Sequence, residues 1–175
     1  MKILGLFRHA KSDWDDMAKR DFDRGLNNRG LKGAALMGNH IRQHGLKWDK
    51  LIASPAERNK MTIEAALPSF DVYFDKRLYL ANSDTILETI LDLGENTRSV
   101  LVSAHNPGLQ EVLLELVSTE NENDLFFDAV RKFPTAAFAV LELDIDQWSD
   151  LKPRVGKLVH FARPRDFDPN LGPEI

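Results

Sequence analysis

The sequence predicts an α/β layered fold with a largely parallel sheet. Three observations carry that expectation. Short, nearly continuous apolar runs recur, Ile3 to Phe7 and Val100 to Val102 among them, as expected for strands covered on both faces. Between them lie stretches with apolar residues at helical spacing, bounded by capping residues and glycines. Strand and helix signals alternate along the chain, the pattern of parallel strands joined by helical crossovers. No internal repeat, linker or low-complexity segment divides it.

The first strand is expected over residues 2–7. A polar loop over residues 11–28 follows, rich in Asp, Lys and Arg, and connections of that length tend to be functional or disordered. A helix begins near Asn28, with Leu31, Ala34, Ala35, Gly38 and Ile41 as a small-residue stripe and Gly45 as its stop. A short strand over 50–53 leads into Ser54-Pro55-Ala56-Glu57, which reads as a helix start. Ser54 caps, Pro55 takes the first helical position and Glu57 completes a capping box. That helix runs to about Leu67. Residues 72–74 form a weak strand. Asn82 or Ser83 caps the next helix, with Ile86, Leu87, Ile90 and Leu91 on one face and Gly94 at its end. After a strand over 99–103, His105-Asn106-Pro107-Gly108 opens a helix. Asn106 is its cap, Pro107 its first position, and Leu109, Val112, Leu113, Leu116 and Val117 its buried stripe. Residues 118–132 are acidic and loop-like with some helical potential. Strands return at 136–143 and 157–161. Beyond Arg163 the prolines at 164, 169 and 173 predict a loosely packed or extended tail, so the domain spans 1–163 and the tail 164–175.

A chain of 175 residues is one domain's worth, long enough to bury a core without staples. Its formal net charge of −4 comes from plentiful charges of both signs. That surface argues against nucleic acid or anionic lipid as the main partner. The absence of cysteine excludes thiolate chemistry, disulfides and cysteine metal sites. The N-terminal apolar run stops at Arg8, too short for a secretory signal, and no stretch approaches the roughly 18 apolar residues of a membrane span. The expected location is the cytoplasm.

Ligands of open α/β sheets bind beyond the carboxyl ends of the strands. Here the first strand ends in Arg8-His9, the second delivers Ser54-Pro55 and, one turn later, Arg58, and the strand over 99–103 delivers His105 before a helix N-terminus. Each piece alone has a plainer reading. Arg-His can be a solvated strand end, Ser54, Pro55 and Glu57 are capping residues, and His105 can be an idle helix-terminus histidine. Together they converge on one edge, and the set suits a phosphoryl group. Arginine forks bind phosphate oxygens in pairs, and the Asn106 N–H at a helix start adds a donor. A neutral imidazole at His9 can attack phosphorus while nearby cations stabilise the transferring oxygens and disfavour its protonation. His40 and His44 have metal-ligand spacing on one helix, but no carboxylate or third histidine is placed to complete a site. No metal or other cofactor is therefore expected. His160 reads as a packed or edge residue of a late strand, and Trp14, Trp48 and Trp148 as packing anchors.

The sequence resembles the histidine phosphatase superfamily, and within it the SixA-type phosphohistidine phosphatases. The resemblance is carried by Arg8-His9-Ala10-Lys11-Ser12, by Asp23-Arg24-x-Leu26-x-x-Arg29-Gly30, by Ser54-Pro55-Ala56-x-Arg58-x-x-x-Thr62 and by His105-Asn106-Pro107-Gly108. It implies a three-layer α/β/α fold with a mostly parallel sheet, phosphoglycerate mutase-like. It also implies a phosphatase in which His9 is transiently phosphorylated while Arg8, Arg58 and His105 hold the phosphoryl group, with Ser12 and Asn106 as further phosphate contacts. The opening run also parallels that of phosphoglycerate mutases, in which an Asn helps hold phosphate. Asp15 stands in its place, and a carboxylate there would repel phosphate.

A second departure concerns the general acid. Mutases and many relatives carry a Glu soon after an Arg-Leu pair, and the comparable segment here, Arg77-Leu78-Tyr79-Leu80-Ala81, has none. Phosphate esters leave as alkoxides and profit from a proton donor. Phosphohistidine loses an imidazole, a better leaving group, so the resemblance implies a phosphorylated protein as partner. Asp84, Glu88 or a carboxylate between residues 13 and 23 could donate a proton instead. The short chain lacks the inserted segments that cover the pocket of larger relatives, which suits a side chain presented by another protein. Two alternatives stay open: hydrolysis of a small phosphate ester, and phosphate binding without turnover.

Overall fold

The computed structural model describes residues 1–173. Six strands form one sheet: β1 (Lys2–Arg8), β2 (Lys50–Ala53), β3 (Val72–Phe74), β4 (Ser99–Ala104), β5 (Phe138–Leu143) and β6 (Gly156–Ala162). Their order is β3-β2-β4-β1-β5-β6. The first four run parallel; β5 and β6 are antiparallel additions at one side.

Strand alternation decides which helices lie on which face. Val100, Val102, Ala139 and Leu141 turn to one core, built with α3 (Ser83–Leu91), α4 (Gly108–Leu116) and α5 (Asp124–Arg131). Leu101, Phe138 and Val140 turn to the other, built with α1 (Asn28–His44) and α2 (Glu57–Ala66). The result is the expected α/β/α sandwich. Trp148 is fully buried in the first core and donates its indole N–H to the Thr97 carbonyl at 2.7 Å. Trp48 is half-buried and fills the space that Gly5 leaves on the opposite face.

Several elements differ from expectation. The buried face of α1 is Gly30, Gly33, Ala34, Met37, Gly38 and Ile41, while Leu31 and Ala35 point to solvent. Close contact with α2 sets that face, since a Cβ on Gly38 would overlap the Ala66 backbone. On α3, capped by Asn82, Ile86, Thr89 and Ile90 are buried but Leu91 is exposed. Helix α2 starts at Glu57, not at Pro55, and has no side-chain cap. Helix α4 starts at Gly108, and neither Asn106 nor Pro107 caps it with a side chain. The acidic stretch contains α5, capped by Asn123. Beyond Arg163 the chain is not extended: Pro164–Phe167 forms a short helix, α6, against α1, and Arg29 of α1 donates to the carbonyls of Asn170 and Gly172. The loop over 11–28 is tied down by buried Arg24, which donates to the carbonyls of Asp13, Asp16 and Lys19. The Arg24 guanidinium also lies 3.8 Å from the centre of the Trp14 ring, which is exposed and anchors no core.

Gly38→Ala tests the α1–α2 contact. Intrinsic helix propensity favours alanine by about 1 kcal/mol, but overpacking against backbone should give a net loss of about 1–3 kcal/mol. Urea unfolding measures it; unchanged or raised stability would mean that the two helices separate freely.

Candidate active site

Strand register brings the site together. In the parallel β1–β4 pair Arg8 stands opposite Ala104, so the next residues, His9 and His105, emerge side by side. Their ring centroids are 5.2 Å apart. In the β2–β4 pair Ala53 stands opposite Ser103, so Ser54 falls beside the same exit. Arg58 follows from the first turn of α2.

Buried polar groups fix these exits. Asn59 of α2 donates to the Ala104 carbonyl at 3.3 Å. Thr62 gives its hydroxyl proton to the Arg58 carbonyl at 2.6 Å and accepts from the Ala10 N–H at 2.9 Å. Helix α2 thus holds the chain on both sides of the pocket, which explains why Thr62 belongs with Ser54 and Arg58.

Hydrogen-bond partners set the tautomers. His9 Nδ1 faces the Ala10 carbonyl at 2.8 Å; a carbonyl only accepts, so Nδ1 carries the proton and Nε2 keeps its lone pair. His105 Nδ1 lies 3.3 Å from Arg58 Nη2, which only donates, so His105 Nε2–H donates to Ser54 Oγ at 2.7 Å. Ser54 is therefore a partner of His105 rather than a helix cap; its oxygen also accepts from the Ala56 N–H. Burial, the main cause, pushes both imidazoles down to about 3. At His9 the charges of His105, Arg8 and Arg58 add to this against the Ala10 hydrogen bond, and at His105 Arg58 adds most.

The two arginines are held differently. Arg8 donates Nη1 to the Phe133 carbonyl at 2.9 Å, its buried Nε has no partner, and no carboxylate pairs with it among the described residues. Burial and the Arg58 charge lower its pKa. A desolvated cation with an unmet donor is suited to an anion. Arg58 forks onto Asp21, donating to its carbonyl at 2.8 Å and to its carboxylate at 3.1 Å. The Tyr79 hydroxyl donates to the same carboxylate, and its ring lies 5.6 Å from that of His105. Burial raises the Asp21 carboxyl, but Tyr79 and Arg58 outweigh it and leave it below the usual carboxylate range.

Arg8, His9, Arg58 and His105 are thus brought together. Asn106 joins them from one side, its amide donating to the Phe133 carbonyl that Arg8 also uses and to Gln110 rather than capping α4. Ser12 lies buried in an isolated bridge with Leu26, its carbonyl accepting from Asn27. Asp84 and Glu88 are exposed on α3 and pair with none of the four. Tyr79 and the particular carboxylate of Asp21 are the partners that sequence reasoning did not single out. The only signal was position: Tyr79 directly follows Arg77-Leu78, and Asp21 lies in the long polar loop. Beside Arg8 a cavity of about 280 Å³ is lined by Lys11, Lys132, Arg163 and Arg165 among others.

The SixA protein of Nakamurella multipartitia superposes with a TM-score of 0.82 at 30% identity, over 93% of this chain and 96% of that one. An uncharacterized protein of Mycobacterium leprae is 32% identical over 163 residues, 90% of this chain and 99% of that protein. The family model described as "Histidine phosphatase superfamily (branch 1)" matches residues 4–82. The chain belongs to the histidine phosphatase superfamily. Within it the chain is of the SixA type, with the phosphoglycerate mutase-like fold; SixA of Agrobacterium tumefaciens is 29% identical, with a TM-score of 0.75 over 93% of this chain and 98% of that one. Membership in this superfamily supports phosphatase activity.

Two outcomes follow from this geometry. Asp21→Asn should tighten binding of inorganic phosphate about two- to fivefold, because a half-exposed carboxylate competing for Arg58 is worth up to about 1 kcal/mol; isothermal titration measures it, and weaker binding would mean that Asp21 aligns Arg58 rather than competing. His105 has a folded pKa of about 3 against an ordinary 6.5, so the unfolded chain binds the extra proton between those values. Its contribution is complete above pH 6.5 and is lost as the pH falls towards 3. His105→Asn should therefore flatten stability against pH between 6.5 and 4, by up to about 1.4 kcal/mol per pH unit. Urea unfolding at stepped pH checks this; an unchanged slope would mean that His105 titrates normally.

Proposed function

We propose that this phosphatase hydrolyses phosphohistidine on a protein partner, through a phosphohistidine intermediate on His9. One observation carries the reading. His9, whose Nε2 keeps its lone pair, lies beside His105 and in the field of Arg8 and Arg58, while the Asp21 carboxylate is tied up by Arg58 and Tyr79. On this reading His9 is the nucleophile and Arg8, Arg58 and His105 hold phosphate. Among the described residues the carboxylate bonded to them, Asp21, is held below the usual carboxylate range, which disfavours it as a proton donor to a departing alkoxide.

In the first step the Nε2 lone pair attacks phosphorus, and the bond to the substrate's imidazole nitrogen breaks with its electron pair; with a proton on its other ring nitrogen, the substrate side chain leaves as neutral imidazole. Arg8, which pairs with no carboxylate among the described residues, and Arg58, exchanging Asp21 for phosphate, hold the equatorial oxygens. The His9 ring becomes cationic as it bonds to phosphorus, and its Nδ1–H stays on the Ala10 carbonyl, which favours that charge. Water then attacks the phosphorus of the intermediate, the P–Nε2 bond returns its pair to His9, and dihydrogen phosphate leaves carrying the water oxygen and both its protons. A phosphohistidine substrate is supported by the names of the SixA neighbours, which are those of phosphohistidine phosphatases. The cations beside Arg8 would meet an acidic surface around the phosphorylated residue.

A substrate panel tests both halves of the proposal. His9→Ala should cut turnover by at least about 10³-fold, the scale of losing a covalent nucleophile, and near-normal rates in that variant would sink the mechanism. Purified phosphohistidine protein should be turned over far faster than an alkyl phosphate. The reverse preference would assign a small-ester substrate, and tight phosphate binding without turnover of either would leave only a binding module.

A further inference from the structure

A second cluster lies away from the phosphate site and is independent of the phosphatase reading. His40 and His44 stand one turn apart on α1. Their missing third partner is His160 of β6, which is more than an edge residue. Across the β5–β6 ladder His160 stands opposite Val140, and Val140 belongs to the core on the α1 face. Directly opposed residues of an antiparallel pair share a face, so register turns His160 towards α1. One ring nitrogen from each of the three lies within 4.8 Å of the others.

Two details go beyond proximity. His40 Nε2 faces His160 Nε2 at 2.7 Å, and among the described residues this is the only hydrogen bond that any of the three rings makes. Two lone-pair nitrogens aimed at one point must share a proton there, and a cation can take its place. The aromatic surroundings then hold the rings: Phe167 of α6 lies 4.5 Å from His40, and Phe138 meets His40 and His44 edge-on at 6.2 and 6.0 Å. His44 is exposed, leaving a side open for ion entry.

We propose that His40, His44 and His160 form a binding site for one divalent transition-metal ion. Three imidazoles without thiolate or carboxylate suit zinc, copper, nickel or cobalt rather than magnesium or calcium. Metal–nitrogen bonds of 2.0–2.1 Å in a tetrahedron place ligand nitrogens about 3.4 Å apart. The present spacings, 2.7 Å for the His40–His160 pair and within 4.8 Å for all three, lie close enough to that value for small ring shifts to close the site. The fourth position faces solvent and takes water. Burial and neighbouring histidines hold His40 and His160 below their ordinary range, which keeps their lone pairs available. From Gly30, beside Lys11 in the phosphate region, to His40 is roughly 15 Å along the helix, so the ion takes no part in phosphoryl transfer. Bound there, it staples α1 to β6.

The test uses tag-free protein, stripped with chelator and titrated with Co²⁺ under a visible spectrometer, then with Zn²⁺ against a chromophoric chelator. The expected result is one equivalent of Co²⁺ with the intense visible bands of a low-coordinate site, displaced by Zn²⁺. His44→Ala removes an exposed ligand without opening the core, and should weaken binding by more than the roughly 10- to 100-fold that losing an outer partner of a ligand costs. His160→Gln should do the same, and both variants should keep the phosphatase rate of the metal-free parent. His9→Ala should bind the metal like the parent. Binding no tighter than millimolar, equal affinity in the His44 and His160 variants, or loss of binding in the His9 variant would each overturn the site.

Discussion

The pairing of β1 with β4 is the constraint on which the pocket rests. Arg8 opposite Ala104 is one rung of a parallel ladder that also matches Leu4 to Val100 and Leu6 to Val102. Those rungs are buried on both faces, and a one-residue slip would turn each apolar side chain to the wrong core. Hydrophobic packing at the middle of the sheet therefore holds two histidines at its end in register. The same ladder, extended through β2, brings Ser54 to His105. Apolar packing thus sets the register, and the buried hydrogen bonds of Asn59 and Thr62 then fix the chain where it leaves the strands.

Electrostatics then divides the work inside the pocket. Two guanidiniums and two imidazoles would repel one another if all were charged. Burial resolves this by keeping both imidazoles neutral, and the arginines, which cannot readily give up their protons, carry the charge. Tautomers follow from single contacts: the Ala10 carbonyl leaves His9 Nε2 with its lone pair, and Arg58 obliges His105 to donate towards Ser54. The site is prepared for an anion although the chain as a whole is acidic.

Much of this was legible in the sequence because strand ends announce themselves locally. Arg8-His9, Arg58 and His105 each follow an apolar run, and period-two and helical patterns assign the elements without knowledge of contacts. What stayed hidden depends on partners distant in sequence. Ser54-Pro55-Ala56-Glu57 satisfies every local rule for a capping box, yet the hydroxyl is used by a residue 51 positions away and the helix starts at Glu57. Asp21 and Tyr79 come together across 58 positions. His160 meets His40 only because β6 joins β5 in one register. Gly38, read as part of a stripe, is needed because the Ala66 backbone comes too close for any side chain.

The Asp21–Arg58 pair has a consequence for release as well as capture. In the proposed reaction phosphate is both the group handled and the final product, so a pocket that grips it without opposition would be slowed by what it makes. A carboxylate already seated on one arginine, steadied by Tyr79 and half-open to solvent, waits to reclaim that position as each phosphate departs. Under the proposed mechanism it would act as an internal rival for the product, lowering residual occupancy between turnovers and setting how far end-product inhibition can build.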